Sequence, residues 1–270
     1  MRRLFAVSLL VVLLAAGWFA LPHGRDWRWD AGRERAEAEA IGAVQAFNAP
    51  GVTVCDSGRR SPGAELPSEY TQRMEVHGIR VVAPEGVSRD AMEAAAATIE
   101  EMFARNDLED ALADLGAYVV IADDTQHVLD LPEFACLAER PDSNLFDQAC
   151  GLADHAAYPV VAVHELDLLG DPGGPCQGLN VLYHELGHLV QNYAIDKETD
   201  KAIGELYDAA ISAGRYRRQY AGSNPHEYFA EGTQDYFHYG DPARFRDHDW
   251  LRDYDPGLFE LLAELYGSAE

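Results

Sequence analysis

Tyr183-His184-Glu185-Leu186-Gly187-His188 spaces two histidines four residues apart and sets a glutamate beside the first. On a helix, residues i and i+4 stand one above the other on the same face, so both imidazoles can converge on a single ion. Glu185, one position round the helix, reaches a water on that ion without becoming a ligand itself. His-Glu-x-x-His therefore supplies two nitrogen ligands and a base. Leu179, Leu182, Leu186, Leu189, Val190 and Tyr193 recur around it at helical spacing with no proline between them, which predicts a buried helix. Gly187 breaks that pattern. A glycine inside a helix costs about 1 kcal/mol relative to alanine, so its presence predicts a close approach at this point.

Two histidines need a third ligand, and the segment Ser223-Asn224-Pro225-His226-Glu227-Tyr228-Phe229-Ala230-Glu231-Gly232 offers one downstream. Asn224 can cap a helix and Pro225 suits its first position. Glu227 then falls in the first turn, and Glu231 lies one turn later on the same face. There it can hold the outward nitrogen of a ligating histidine and fix its tautomer. Taken alone, Glu227 also fits a capping box with Asn224, and Glu231 fits a solvated helix face. His226 is adjacent and basic, and one helix face cannot present it and Glu227 equally.

With both segments in hand, the sequence resembles the gluzincin metallopeptidases, whose third ligand is a glutamate on a separate downstream helix. It looks most like the anthrax lethal factor-like peptidase domain, where a Glu-x-Phe-Ala-Glu segment carries that ligand. The match here is Glu227-Tyr228-Phe229-Ala230-Glu231. The resemblance implies that His184, His188 and Glu227 bind one catalytic Zn2+ and favours Glu227 over His226. It implies Glu185 as general base and Tyr220 as the tyrosine that supports the reaction. Over residues 77–239 it further implies an α+β, zincin-like domain with a small sheet packed on the metal-binding helices. A metzincin is excluded, since Gln191 and Ala194 stand where that pattern requires glycine and histidine, and no inverted motif is present. The expected activity is hydrolysis of a peptide or protein substrate. The alternative is a catalytically silent, zinc-stabilised binding module at the cell envelope. A third reading is an envelope-anchored structural protein.

Composition bounds these readings. A chain of 270 residues, 47% hydrophobic, can bury one sizeable core. A formal charge of -25 repels nucleic acid and anionic lipid, which excludes both as electrostatic partners. Arg2 and Arg3 precede an apolar run over 4–20 that Leu21-Pro22 breaks, the pattern of an export signal. Ala15, Ala16 and Gly17 suit cleavage, whereas Trp18 suits a retained membrane anchor, so both readings stay open. Either one places the domain outside the cytoplasm, secreted or anchored. The expected division is a signal or anchor at 1–21, a helical stalk and linker at 22–76, and the metallopeptidase-like domain at 77–270. Oligomeric state has no signature here.

Cys55, Cys136, Cys150 and Cys176 form an even set in an exported chain, which predicts two disulfides. Three connectivities exist. Cys136 with Cys150, which would close a short surface loop, is favoured. Within the domain, strands are predicted over 78–83, 117–122 and 158–163. A helix capped by Ser88 with Met92, Ala95, Ala96, Ile99, Met102 and Phe103 on its apolar face follows the first. The strand near Val160 is expected at an edge, open to an extended peptide. Another helix is predicted over 197–213.

Overall fold

The computed structural model describes residues 65–139, 149–153, 159–238 and 246–267. The expected signal or anchor at 1–21 and the stalk as far as residue 64 lie outside them. Gln72–Val76 (β1), Ile79–Ala83 (β2), Tyr118–Ala122 (β3), Gly151–Ala153 (β4) and Val160–His164 (β5) form one five-stranded sheet among the described residues. Its order is β1-β2-β3-β5-β4. The three inner strands are parallel and the two outer ones antiparallel to their neighbours.

The inner strands are mostly apolar, broken only by Arg80 in β2 and His164 at the end of β5, because both faces of the sheet are covered. Alternate residues Ile79, Val81, Val119, Ile121, Val161 and Val163 face one core. Val82, Tyr118, Val120, Val160 and Ala162 face a second, smaller one with Tyr70, Leu129 and Phe134. Buried Glu133 anchors that smaller layer, accepting hydrogen bonds from the Tyr70 and Tyr118 hydroxyls.

Helices supply the other layer. Arg89–Phe103 (α1) begins at Ser88, whose hydroxyl accepts from the Ala91 N–H as its cap. Leu108–Asp114 (α2) and the single turn Ala135–Ala138 (α3) follow in the first half. In the second half come Glu165–Leu168 (α4), Leu182–Leu189 (α5), Lys197–Ser212 (α6), Pro225–Phe237 (α7), His248–Tyr254 (α8) and Pro256–Tyr266 (α9). The architecture is α+β, as expected. Directly after α5 the backbone widens into a π-helical turn over Val190–Ala194, a local irregularity that recurs at functional sites.

Two glycines set how the helices stack. A Cβ on Gly187 of α5 would lie 3.3 Å from the Ala230 Cα and 3.2 Å from the Thr233 Cβ of α7. A Cβ on Gly232 of α7 would lie 2.4 Å from Leu258 Cδ2 of α9. So α7 is held closely on two sides, tightly at Gly187 and with no space for a side chain at Gly232 unless Leu258 moves.

Two expectations are corrected, and the sheet itself starts at Gln72. β1 turns into β2 through His77 and Gly78, both left-handed at φ 52° and 73°, the pairing that a two-residue hairpin turn requires. The strand near Val160 is internal, paired on both sides, and the edge belongs to β4. Pro159 permits this because it precedes the strand, where its missing N–H breaks no ladder. Cys150 bonds Cys176, not Cys136, with Cα atoms 5.4 Å apart. The loop after α4 winds back onto the buried Asp167 carboxylate, which accepts from the Cys176 and Gly178 N–H groups, and this carries Cys176 to the start of β4. Cys55 lies outside the described residues.

Gly187→Val should lower stability by about 1 to 3 kcal/mol, since the branched side chain must push α5 off α7. Denaturant unfolding measures it. An unchanged or raised midpoint would contradict the packing described.

Candidate metal centre

Every residue of α5 is buried, so the side chains that its spacing aligns have no solvent to turn to. His184 Nε2 lies 3.1 Å from His188 Nε2 and 3.1 Å from Glu227 Oε2, and His188 Nε2 lies 3.5 Å from the same oxygen. A tetrahedral zinc with bonds of about 2.0 to 2.1 Å has ligand atoms roughly 3.3 to 3.4 Å apart, so this triangle has the size of one face of such a site. Two imidazoles and one carboxylate are also a zinc donor set. Glu227 Oε2 is enclosed and makes no aligned hydrogen bond, the state of an atom whose partner is an ion.

The local sequence explains how Glu227 arrives there. The Asn224 side chain caps α7 by accepting from the His226 and Glu227 N–H groups, at 2.9 and 3.0 Å. Glu227 is thereby free of capping duty and turns inward. His226, its rival, is exposed and stands outside the trio. Glu231 Oε1 lies 3.3 Å from His184 Nδ1, on the ring edge opposite the trio. Tyr220 opens the 3-10 turn Tyr220–Gly222, and its ring stacks on His184 with centroids 5.8 Å apart. The structure thus brings His184, His188, Glu227, Glu231 and Tyr220 together.

Glu185 sits on the same helix but outside the triangle. Its carboxylate lies against β4: a Cβ on Gly151 would come within 2.7 Å of Glu185 Oε1. Burial pushes its carboxyl up to about 7; the His184 ring opposes that rise and the Glu227 and Glu231 carboxylates add to it. For His184, burial alone would lower the ring's pKa. Glu227 and Glu231 outweigh that and hold it well above its ordinary value. Burial keeps His188 below its ordinary value. Burial would also raise Glu227, but the facing His188 and His184 rings win and hold it below the usual carboxylate range. Burial raises the Tyr220 hydroxyl well above its ordinary value, with Glu227, Glu185 and Glu231 reinforcing it.

A second cluster, Cys150, Asp167 and Cys176, also has donor atoms within reach of one another. Its two thiols are consumed by the disulfide and its carboxylate by backbone N–H groups, so it is a structural staple. Sequence spacing does not reveal Gly151, because β4 is only three residues long. It also does not reveal Arg246, which donates to Glu231 Oε2 and lies 3.8 Å from Asp235 Oδ2. One signal was present: Glu227, Glu231 and Asp235 fall one turn apart on α7, and buried like charges in a row call for a cation between them. No family model matches the chain, and no curated protein matches it.

His188→Ala should abolish stoichiometric zinc in purified protein; full zinc content with unchanged coordination by X-ray absorption rejects the site. Because His184 must shed a proton to ligate, zinc affinity should rise with pH across neutrality. Chelator competition on either side of neutral tests this, and a flat profile contradicts it.

Proposed function

We propose that the chain is an exported, zinc-dependent peptidase of the gluzincin type, with a zincin-like domain, that hydrolyses peptide bonds. The observation that carries the reading is a buried glutamate, Glu185, beside a two-histidine, one-glutamate triangle to which it does not contribute a ligand. A zinc bound there supplies Lewis acidity, polarising a carbonyl and acidifying water. Glu185 then takes the proton of the attacking water and delivers it to the leaving amine. A carboxyl raised toward neutrality by burial suits that exchange better than one of ordinary acidity. Tyr220 is packed on His184, and its role in this reading is to supply its hydroxyl to the developing oxyanion. His184 is oriented by Glu231.

The rival reading is a silent binding module that keeps zinc for stability alone. Structural zinc sites close with four protein ligands, whereas catalytic sites offer three and leave a position open. Among the described residues the cluster offers three. Glu185 is buried beside it without ligating, and this favours catalysis.

Glu185→Gln should keep zinc and fold while cleavage of a mixed peptide library falls about 100-fold or more. Tyr220→Phe should raise the barrier by roughly 2 to 4 kcal/mol with little change in zinc content. A Glu185→Gln variant as fast as wild type disproves the mechanism. Zinc-loaded wild type that cleaves nothing favours the binding module.

A further inference from the structure

On the reading of this cluster as a metal centre, we infer that Arg246 is a positioning residue that sets His184 from both sides. Its guanidinium donates through Nη2 to Glu231 Oε2, while the other oxygen of that carboxylate faces His184 Nδ1 at 3.3 Å. The carboxylate is thus a two-ended link, with the metal-facing ring at one end and Arg246 at the other. Through Nη1, Arg246 donates to Gln219 Oε1 at 3.4 Å, and Gln219 is the residue before Tyr220. Tyr220 in turn stacks on the His184 ring at an interplanar angle of 27°. The outward nitrogen of His184 and one face of its ring are therefore both governed by partners of one arginine.

Charge explains why a cation is needed and fork geometry explains why it is arginine. Glu231 and Asp235 lie one turn apart on α7, both at least nine-tenths buried, where like charges repel with little screening. Arg246 stands between them, with Nε 3.8 Å from Asp235 Oδ2 and its plane over the Trp250 ring at 5.9 Å. A planar group with donors in fixed directions can address Glu231, Asp235 and Gln219 together, which a single ammonium cannot. Removing it frees the Glu231 carboxylate to rotate away from His184 and frees the turn that carries Tyr220.

The experiment measures zinc dissociation constants by chelator competition for full-length wild type, Arg246→Met, Glu231→Gln and the double variant. Arg246→Met should weaken zinc about 10- to 100-fold, the usual effect of losing an outer partner of a ligating histidine. Because Arg246 acts through Glu231, the double variant should be no weaker than the worse single one. The absorption spectrum of the cobalt-substituted Arg246→Met protein should also differ from wild type. Additive losses, or wild-type affinity with an unchanged cobalt spectrum, overturn the inference. Should Arg246→Met not fold, Arg246→Lys keeps the charge without the fork. A folded Lys variant with weakened zinc supports the inference, and one with wild-type affinity overturns it. Wild-type protein that takes up no zinc brings down the metal-centre reading itself. Zinc uptake that is indifferent to Arg246 defeats this inference alone.

Discussion

The contact between α5 and α7 at Gly187 governs the geometry of the site. His184 and His188 come from one helix and Glu227 from the other, and their ligand atoms lie within 3.5 Å of one another. Helices normally pack with axes about 8 to 10 Å apart, and only small residues at the crossing allow the near end of that range. Gly187 against Ala230 and Thr233 provides it, where one more carbon atom would fit only if its neighbours gave way by a few tenths of an ångström. Gly232 against Leu258 then seats α9 behind α7, so the helix bearing Glu227 cannot relax away from the histidines. The helix penalty of about 1 kcal/mol for each interior glycine is the cost of this fit.

The same closeness creates an electrostatic problem. α7 buries Glu227, Glu231 and Asp235 along one face, and α5 adds Glu185. Carboxylates in so dry a setting are tolerated only when paired. The arrangement interleaves them with groups of the opposite sign: Glu227 faces both histidines, Glu231 lies between His184 and Arg246, and Asp235 lies beyond Arg246. Buried ion pairs of this kind add little net stability, because desolvation offsets most of their attraction. Their persistence in the core is better explained by what they hold in place than by what they contribute to folding. Glu185 is the exception: burial raises its pKa, with the His184 ring opposing that rise and the Glu227 and Glu231 carboxylates adding to it.

What was legible in the sequence is what short-range geometry encodes. The spacing of His184, Glu185 and His188 specifies one helix face, and Ser88 and Asn224 cap their helices as their positions predict. Gly187 announced a close approach without naming the partner. The elements that escaped are those whose meaning depends on distant chain. β1 alternates half-buried Gln72, Met74 and Val76 with exposed Arg73 and Glu75, so its pattern is that of a polar segment. β4 is too short to show any period. Cys150 lies nearer in sequence to Cys136 than to Cys176, and only the loop folded around Asp167 reverses that preference in space. Arg246 belongs to no motif, and its role emerges only once the carboxylates of α7 are seen to be buried together.

β4 brings these distant elements to bear on one position. Three residues of pairing with β5 make a marginal strand on their own. Cys150, immediately before it, is bonded to the loop that leads into α5, so the strand and the motif helix are tied through that loop. Gly151 is then fixed against Glu185, where any side chain would displace the carboxylate. As the outer strand of the sheet among the described residues, β4 has one backbone edge away from β5. On the proposed reading, an extended substrate added there would lie about 4.8 Å away, as neighbouring strands do. Its backbone would then run past Glu185, the group assigned to move the proton.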